Sequence, residues 1–319
     1  MSRPTSHNEN PSLGYLFAVA TAAISAVSFV AAKPVLAYLD PLSFAMSQFG
    51  IAAVFSFVWL LAKGEHSNVK RLTARQWTFL TVVALLFLAS VYTLCIGLSR
   101  IPATAASLLN RLEVLVTVFF GVALLGDRFS RRETWGGVVA ILGVIILRYD
   151  APSSFSSGFW MMVLSATLFG FTEVLVKTQV HNIPPRTFAF MRNIMVFGLF
   201  VVAGLWRVAM QDGQEWSGIA DWSGIQRGWA EITVAAFAGP MLARTTQFYS
   251  LRHIDVSHAS LILQTQPVFV AIMSALILHA LPSRREWVGG IFIILGCFLL
   301  VHWQRAVRRQ TAGHPSGES

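Results

Sequence analysis

Three things are scarce in this sequence, and each scarcity excludes something. Charge is the first: 12% of the residues are Asp, Glu, Lys or Arg, about half the roughly 25% usual in a soluble domain. A chain so poor in charge cannot clothe itself in polar surface, which excludes an ordinary water-soluble fold. Cysteine is the second. Cys95 and Cys297 are the only two, and both lie in apolar runs, so there is no disulfide framework and no thiolate metal site; they read as small apolar packing residues. Catalytic patterns are the third. The sequence has no GxSxG, no phosphate-cradling GxxxxGK[ST], no HExxH and no CxxC, and its histidines are scattered. No cofactor, no metal and no enzymatic activity are expected.

Long apolar runs fill the space that charge leaves. Hydrophobic residues make up 55% of the chain and the mean hydropathy is +0.61. About 20 residues of helix cross a bilayer core, and runs of that order recur along the chain. They cover about 13–32, 41–62, 77–98, 102–125, 134–148, 157–176, 186–209, 229–250, 257–280 and 287–303. The expected fold is therefore an all-α integral membrane protein of ten transmembrane helices. The first run is longer than a secretory signal core and reads as a retained helix. Residues 1–12 and 304–319 read as polar tails, and the longest stretch between spans is 210–228.

The net charge of +9 would suggest nucleic acid in a soluble protein; in a membrane chain it reads as topology, since cytoplasmic loops concentrate Lys and Arg. With ten spans and a cytoplasmic N-terminus, fourteen Lys and Arg fall inside, seven outside and three within spans. The chain is thus expected in the inner (plasma) membrane with both tails cytoplasmic, with membrane lipids and a small molecule as partners, no nucleic acid, and a homodimer left open.

The sequence also repeats itself. Residues 98–143 align without a gap to 251–296, and fifteen of those 46 positions are identical. Ser130-Arg131-Arg132-Glu133, Gly136-Gly137 and Ile141-Leu142-Gly143 recur as Ser283-Arg284-Arg285-Glu286, Gly289-Gly290 and Ile294-Leu295-Gly296. Upstream, at a shift of 144, Gly14 meets Gly158, Lys33 meets Lys177 and Pro41 meets Pro185. Two halves result, 13–148 and 157–303, each of five spans. A second copy of an odd-span unit enters the membrane upside down, so the halves form inverted repeats, with a site expected near the midplane between them.

On these features the sequence resembles the EamA-type drug/metabolite transporter superfamily. The resemblance rests on the ten spans, the two halves, and the motif at each half's end, Asp127 through Gly143 and Ala280 through Gly296. Asp127, Pro267 and Arg192 fit positions of the family pattern, while Ala280, Val114 and Gln48 stand at their counterparts. The resemblance implies a central cavity lined by spans 1–4 and 6–9, with spans 5 and 10 at the periphery. It implies transport of small metabolites, often outward.

Polar groups in mid-membrane usually face a cavity or a partner. Span 4 carries Asn110, Arg111 and Glu113; span 6 carries Glu173; span 7 carries Arg192; span 8 carries Arg244 and Gln247; span 9 carries Gln264 and Gln266. The repeat places Gln264 opposite Arg111 and Gln266 opposite Glu113. On a continuous helix Arg111 and Glu113 lie about 200° apart, so they are not expected to pair with each other. Glu173 has Lys177 at i+4, and Arg192 is near enough to a span end to reach the surface. Three Arg against two Glu leave one positive charge, so an anionic or zwitterionic substrate is expected, held at Arg111 or Arg244 with Asn110, Glu113, Gln247, Gln264, Gln266 and Tyr92 around it. Phe248 and Tyr249 are further candidates for an aromatic wall. Glu113 and Glu173 are candidates for proton coupling. The expected function is a secondary transporter, an exporter, working by alternating access. The alternatives are a membrane-embedded enzyme on lipid-linked substrates, using Glu173 with Lys177, and a sensor or scaffold without flux.

Overall fold

The computed structural model describes residues 11–65, 67–125, 131–148, 153–179, 183–210, 219–254, 259 and 262–312. Asp127 and Ser130 lie outside the described residues, as do the side chains of Lys177 and Phe248. All regular structure among the described residues is helical. The α-helices of six or more residues are α1 (Pro11–Val35), α2 (Pro41–Ala62), α3 (Ala74–Arg100), α4 (Ala103–Asn110), α5 (Leu112–Leu125), α6 (Arg131–Arg148) and α7 (Ser153–Gln179). They continue as α8 (Pro185–Met210), α9 (Trp222–Arg227), α10 (Trp229–Ala236), α11 (Arg244–His253), α12 (Gln266–Ile277) and α13 (Arg284–Ala312).

Among the described residues, five helical segments are long and apolar enough to cross a membrane: Ser12–Val35, Pro41–Ala62, Ala74–Arg100, Ser157–Val176 and Arg186–Met210. Thr134–Arg148 and Gln266–Ile277 are shorter apolar helices. Three of the ten expected spans are interrupted. The run 102–125 divides into α4 and α5, the run 257–280 has turns at Gln264 and Thr265 ahead of α12, and the run 229–250 passes through a π-helical turn, Phe237–Ala243, between α10 and α11. The last helix continues to Ala312, past the expected span end at 303. Large apolar side chains point outward along the bundle: Val54, Phe119, Val202 and Leu276 are all more than 60% exposed. Such a surface suits acyl chains and not water.

Local chemistry sets several helix ends. Pro41 occupies the first turn of α2, where its missing N–H is no loss. Asp40 caps that helix, accepting from Leu42 N at 3.0 Å and Ser43 N at 3.2 Å, which stabilises it by about 1 kcal/mol. Thr73 and Gln76 close a capping box on α3. Lys33 reaches from α1 to the far end of α3, where its ammonium donates to the carbonyls of Leu98 at 2.7 Å and Ile101 at 2.8 Å. These are carbonyls that a helix C-terminus leaves without donors.

Contacts between the halves obey the shifts read from the sequence. Gly158 on α7 packs on Arg100 and Ile101 at the end of α3, and Gly14 on α1 packs on His253 and Ile254 at the end of α11. Helices α6 and α13 meet backbone to backbone. A Cβ at Gly143 would come within 2.6 Å of the Gly289 carbonyl, and one at Gly296 within 2.6 Å of the Gly136 carbonyl. Gly143 and Gly296 are repeat partners, as are Gly136 and Gly289, so the two contacts are the same contact made twice. Numbers rise along one helix as they fall along the other, so α6 and α13 run antiparallel. Only residues without a side chain permit so close an approach. Helices α2 and α8 also pack together. Their ends are tied by Arg207 to Asp40 at 3.1 Å on one side of the bundle and by Arg186 to Glu65 on the other.

Candidate functional site

Three interrupted helices converge on a cavity of about 170 Å³, room for five or six water molecules at roughly 30 Å³ each. Its wall includes Asn110, Arg111, Glu113, Arg244, Gln247 and Gln266. These are six of the eight side chains singled out as ligands from the sequence.

The first interruption is at Arg111. The Arg111 N–H donates to Leu108 O at 3.1 Å, and the Val114 N–H donates to Arg111 O at 3.1 Å. Both are i to i−3 bonds, tighter than α-helical ones. The repeat partner of this break lies at Gln264 and Thr265, where the Thr265 N–H donates to Ile262 O at 2.9 Å. Here the cause is visible: Pro267 has no N–H, so the carbonyl four residues earlier, on Leu263, loses its helical donor. Arg111 supplies the replacement. Its Nη1 donates to Leu263 O at 3.2 Å and its Nη2 to Gln266 Oε1 at 2.8 Å.

The break also overturns the expectation that Arg111 and Glu113 point apart. Arg111 Nη2 lies 3.5 Å from Glu113 Oε1, because the 200° separation holds only on an unbroken α-helix. Arg111 therefore touches Glu113 and also Gln266, the repeat partner of Glu113. The Arg111 side chain is 5% exposed and the Glu113 side chain 22% exposed, so Glu113 is the more accessible of the two. The Cys297 thiol sits 3.6 Å from the Arg111 carbonyl, packed behind the site.

The second charged pair joins α7 to α11. Arg244 Nη1 donates to Glu173 Oε1 and to Gln247 Oε1, each at 3.0 Å. Glu173 thus engages a residue 71 positions away. The π-helical turn places Arg244 there. In such a turn the donor for Ala235 O would come from residue 240, a proline without an N–H. That carbonyl accepts from Ser28 Oγ at 2.9 Å and Gln48 Nε2 at 3.2 Å.

Arg192 does not reach the surface. It is 4% exposed, donates to Asn193 Oδ1 and Pro240 O at 3.0 Å each, and lies 4.8 Å above the Phe87 ring. Arg111 and Arg244 each face a glutamate, so the surplus charge counted from the sequence falls on Arg192 and not on the two residues expected to carry it.

Gln264 is 2% exposed beside the break but is not on the cavity wall. Tyr92 also stays off the wall and is 38% exposed. Tyr249 lies at the end of the bundle, its hydroxyl accepting from Arg186 at 2.8 Å. The aromatic wall is built by phenylalanine, with Phe87 edge-on to Phe49 at 6.0 Å and to Phe169 at 5.2 Å. Thr21, Ser25 and Ser28 add a polar stripe from α1. Their spacing of four and three residues was the available signal, since it marks one helix face.

The sequence matches the family model of the EamA-like transporter family twice, over residues 12–149 and 156–302. An uncharacterized transporter of Synechocystis sp. is 23% identical over 256 residues, 77% of this chain and 70% of that protein. A second uncharacterized transporter, from Archaeoglobus fulgidus, is 23% identical over 141 residues, 44% of each chain. A solved crystal structure superposes with a TM-score of 0.64 at 17% identity, covering 93% of this chain and 99% of its own. At that identity the likeness speaks to the fold alone.

Proposed function

Because the chain belongs to the EamA-like transporter family and is a multi-pass membrane protein, we propose that it is a secondary transporter that carries a small metabolite by alternating access. One observation carries the reading. Two repeat-related helices are broken at equivalent points, and Arg111 bridges the breaks beside a cavity that Glu113 and Arg244 also line. Broken helices at a repeat interface are how transporters expose backbone and charge to a solute while the rest of the bundle stays satisfied. The proposal includes ten spans, 13–148 and 157–303, as inverted halves in the inner membrane with cytoplasmic tails, and outward movement of solute.

The proposed site comprises Asn110, Arg111, Glu113, Arg244, Gln247 and Gln266, with Gln264 supporting the break. Each cavity arginine faces a glutamate, so a cargo with both a positive and a negative group fits better than a simple anion: it can exchange partners with the Arg111–Glu113 pair and leave no charge buried alone. Glu113, open to the cavity, is the proposed proton carrier, and Glu173 the second candidate.

Counterflow in proteoliposomes against a metabolite mixture tests the reading. Saturable exchange of a zwitterionic solute, lost in Glu113→Gln and altered by an imposed pH gradient, is expected. Absence of flux with every solute class would overturn it in favour of a sensor.

A further inference from the structure

The cavity reaches toward one end of the bundle. Its wall runs from Thr21 to Ala32 on α1 and from Phe87 to Leu98 on α3, and on α2 it includes Phe44, Gln48 and Phe49. All three stretches lie toward the end where α1 and α3 finish and α2 begins. The opposite end is packed. Helix α1 has about 15 Å of length before Thr21, and α2 about 20 Å after Phe49, at 1.5 Å per residue. That is half or more of a hydrocarbon core of about 30 Å. An apolar cluster separate from the main core fills this end: Leu80 and Val83 of α3 with Ile183 and with Phe188 and Met191 of α8.

Two helix pairs meet there, each with one helix from either half of the chain. The first pair is α1 with α11. Thr21 and Thr246 share a hydroxyl–hydroxyl hydrogen bond of 2.8 Å, Ser250 Oγ donates to Gly14 O at 3.0 Å, and the Phe17 and Tyr249 rings lie 5.6 Å apart. The second pair is α2 with α8. Arg186, in the first turn of α8, joins the two. Its Nη1 pairs with Glu65, just past the end of α2, and its guanidinium lies 5.4 Å above the Trp59 ring. Its Nη2 reaches the other pair and donates to the Tyr249 hydroxyl at 2.8 Å. A planar fork of donors holds two such partners at once. The Arg186 and Glu65 side chains are 27% and 29% exposed, so the link is partly wet and biases the closed arrangement without locking it. Tyr249 stands five residues beyond Arg244 on α11, so this link and the cavity wall share one helix.

We propose that Arg186 is the latch that shuts this end of the bundle. While it holds Glu65 and Tyr249 together, the cavity is reached from the opposite membrane face. When the Tyr249 bond is released, α1 with α11 parts from α2 with α8, and the cavity is reached from the latch side. The inference rests on the alternating-access reading above and names the residues that set which side is open.

The test follows the access of a thiol on the cavity wall. Ser25→Cys is made in the full chain with Cys95→Ala and Cys297→Ala, and proteoliposomes are treated with a membrane-impermeant methanethiosulfonate from each face in turn. With the latch intact, labelling is expected from one face. Tyr249→Phe removes the hydroxyl and keeps the ring against Phe17, and it should raise labelling from the other face several-fold, as the loss of a hydrogen bond to a charged group would. Glu65→Gln should act in the same direction. Cys297, fully buried and off the wall, serves as the fold control when it is the single thiol. Unchanged access in both latch variants, equal labelling from the two faces before any latch change, or a gain that Cys297 shares (the mark of a loosened fold) would each overturn the proposal. The labelling needs no solute, so a latch that shifts access in a chain without flux would sink the transporter reading and not the latch.

Discussion

Arg111 donates to the carbonyl of Leu263 at 3.2 Å, the oxygen that Pro267 deprives of its helical donor. A side chain from one half thus completes the backbone of the other. An unpaired carbonyl in lipid costs several kcal/mol, so the bond is structural and sits beside the cavity at once.

Arg111→Met is expected to destabilise the protein by about 3 kcal/mol, the low end for breaking a buried pair, because Glu113 keeps some access to the cavity. Adding Glu113→Leu should recover most of the loss, since the lone carboxylate is the costly species. Unfolding midpoints in one detergent check both, and transport should be lost in the single and the double variant alike.

Pro267→Ala restores an N–H that can reach Leu263 O and compete with Arg111. Stability should change little, since Pro267 stands in the first turn of α12, where a proline is well tolerated, while counterflow falls several-fold as the break closes. A stable variant with undiminished flux would show that the interruption has no part in transport.

The Arg244–Glu173 pair predicts a charge swap. Arg244→Glu and Glu173→Arg should each reduce transport at least tenfold, because each sets two like charges side by side where a 3.0 Å ion pair stood. The double swap should regain part of the activity. Uptake rates normalised to folded protein decide it.

The seam between α6 and α13 predicts a contrast between neighbouring glycines. Gly143→Ala and Gly296→Ala should destabilise to similar extents, since each Cβ would press on the opposite backbone at 2.6 Å or closer. Gly137→Ala, which meets nothing within 4 Å, should stabilise by up to about 1 kcal/mol from helix propensity. Thermal melts of the three variants suffice.

The repeat was legible in the sequence because glycines and a charged block punctuate apolar runs that otherwise look alike. Gly14 with Gly158 and Gly143 with Gly296, paired on sequence, make equivalent contacts in the fold. The break at Arg111 was not legible. Leu112, Glu113 and Val114 bear no glycine or proline, and only the repeat partner Pro267 hints at an interruption. The pairing of Arg111 with Glu113 was missed for that reason. The link from Glu173 to Arg244 was hidden by a nearer option, Lys177 one turn away. Phe49, Phe87 and Phe169 could not be told from other core aromatics, because spans that are apolar all round show no contrast between faces.

The glycine seam also limits how the molecule can change shape. Side chains that interdigitate can re-pack in a new register, but two bare backbones pressed together have nothing to slide past. A shift of register would set a side chain against the opposite backbone, so α6 and α13 are held where glycine meets glycine.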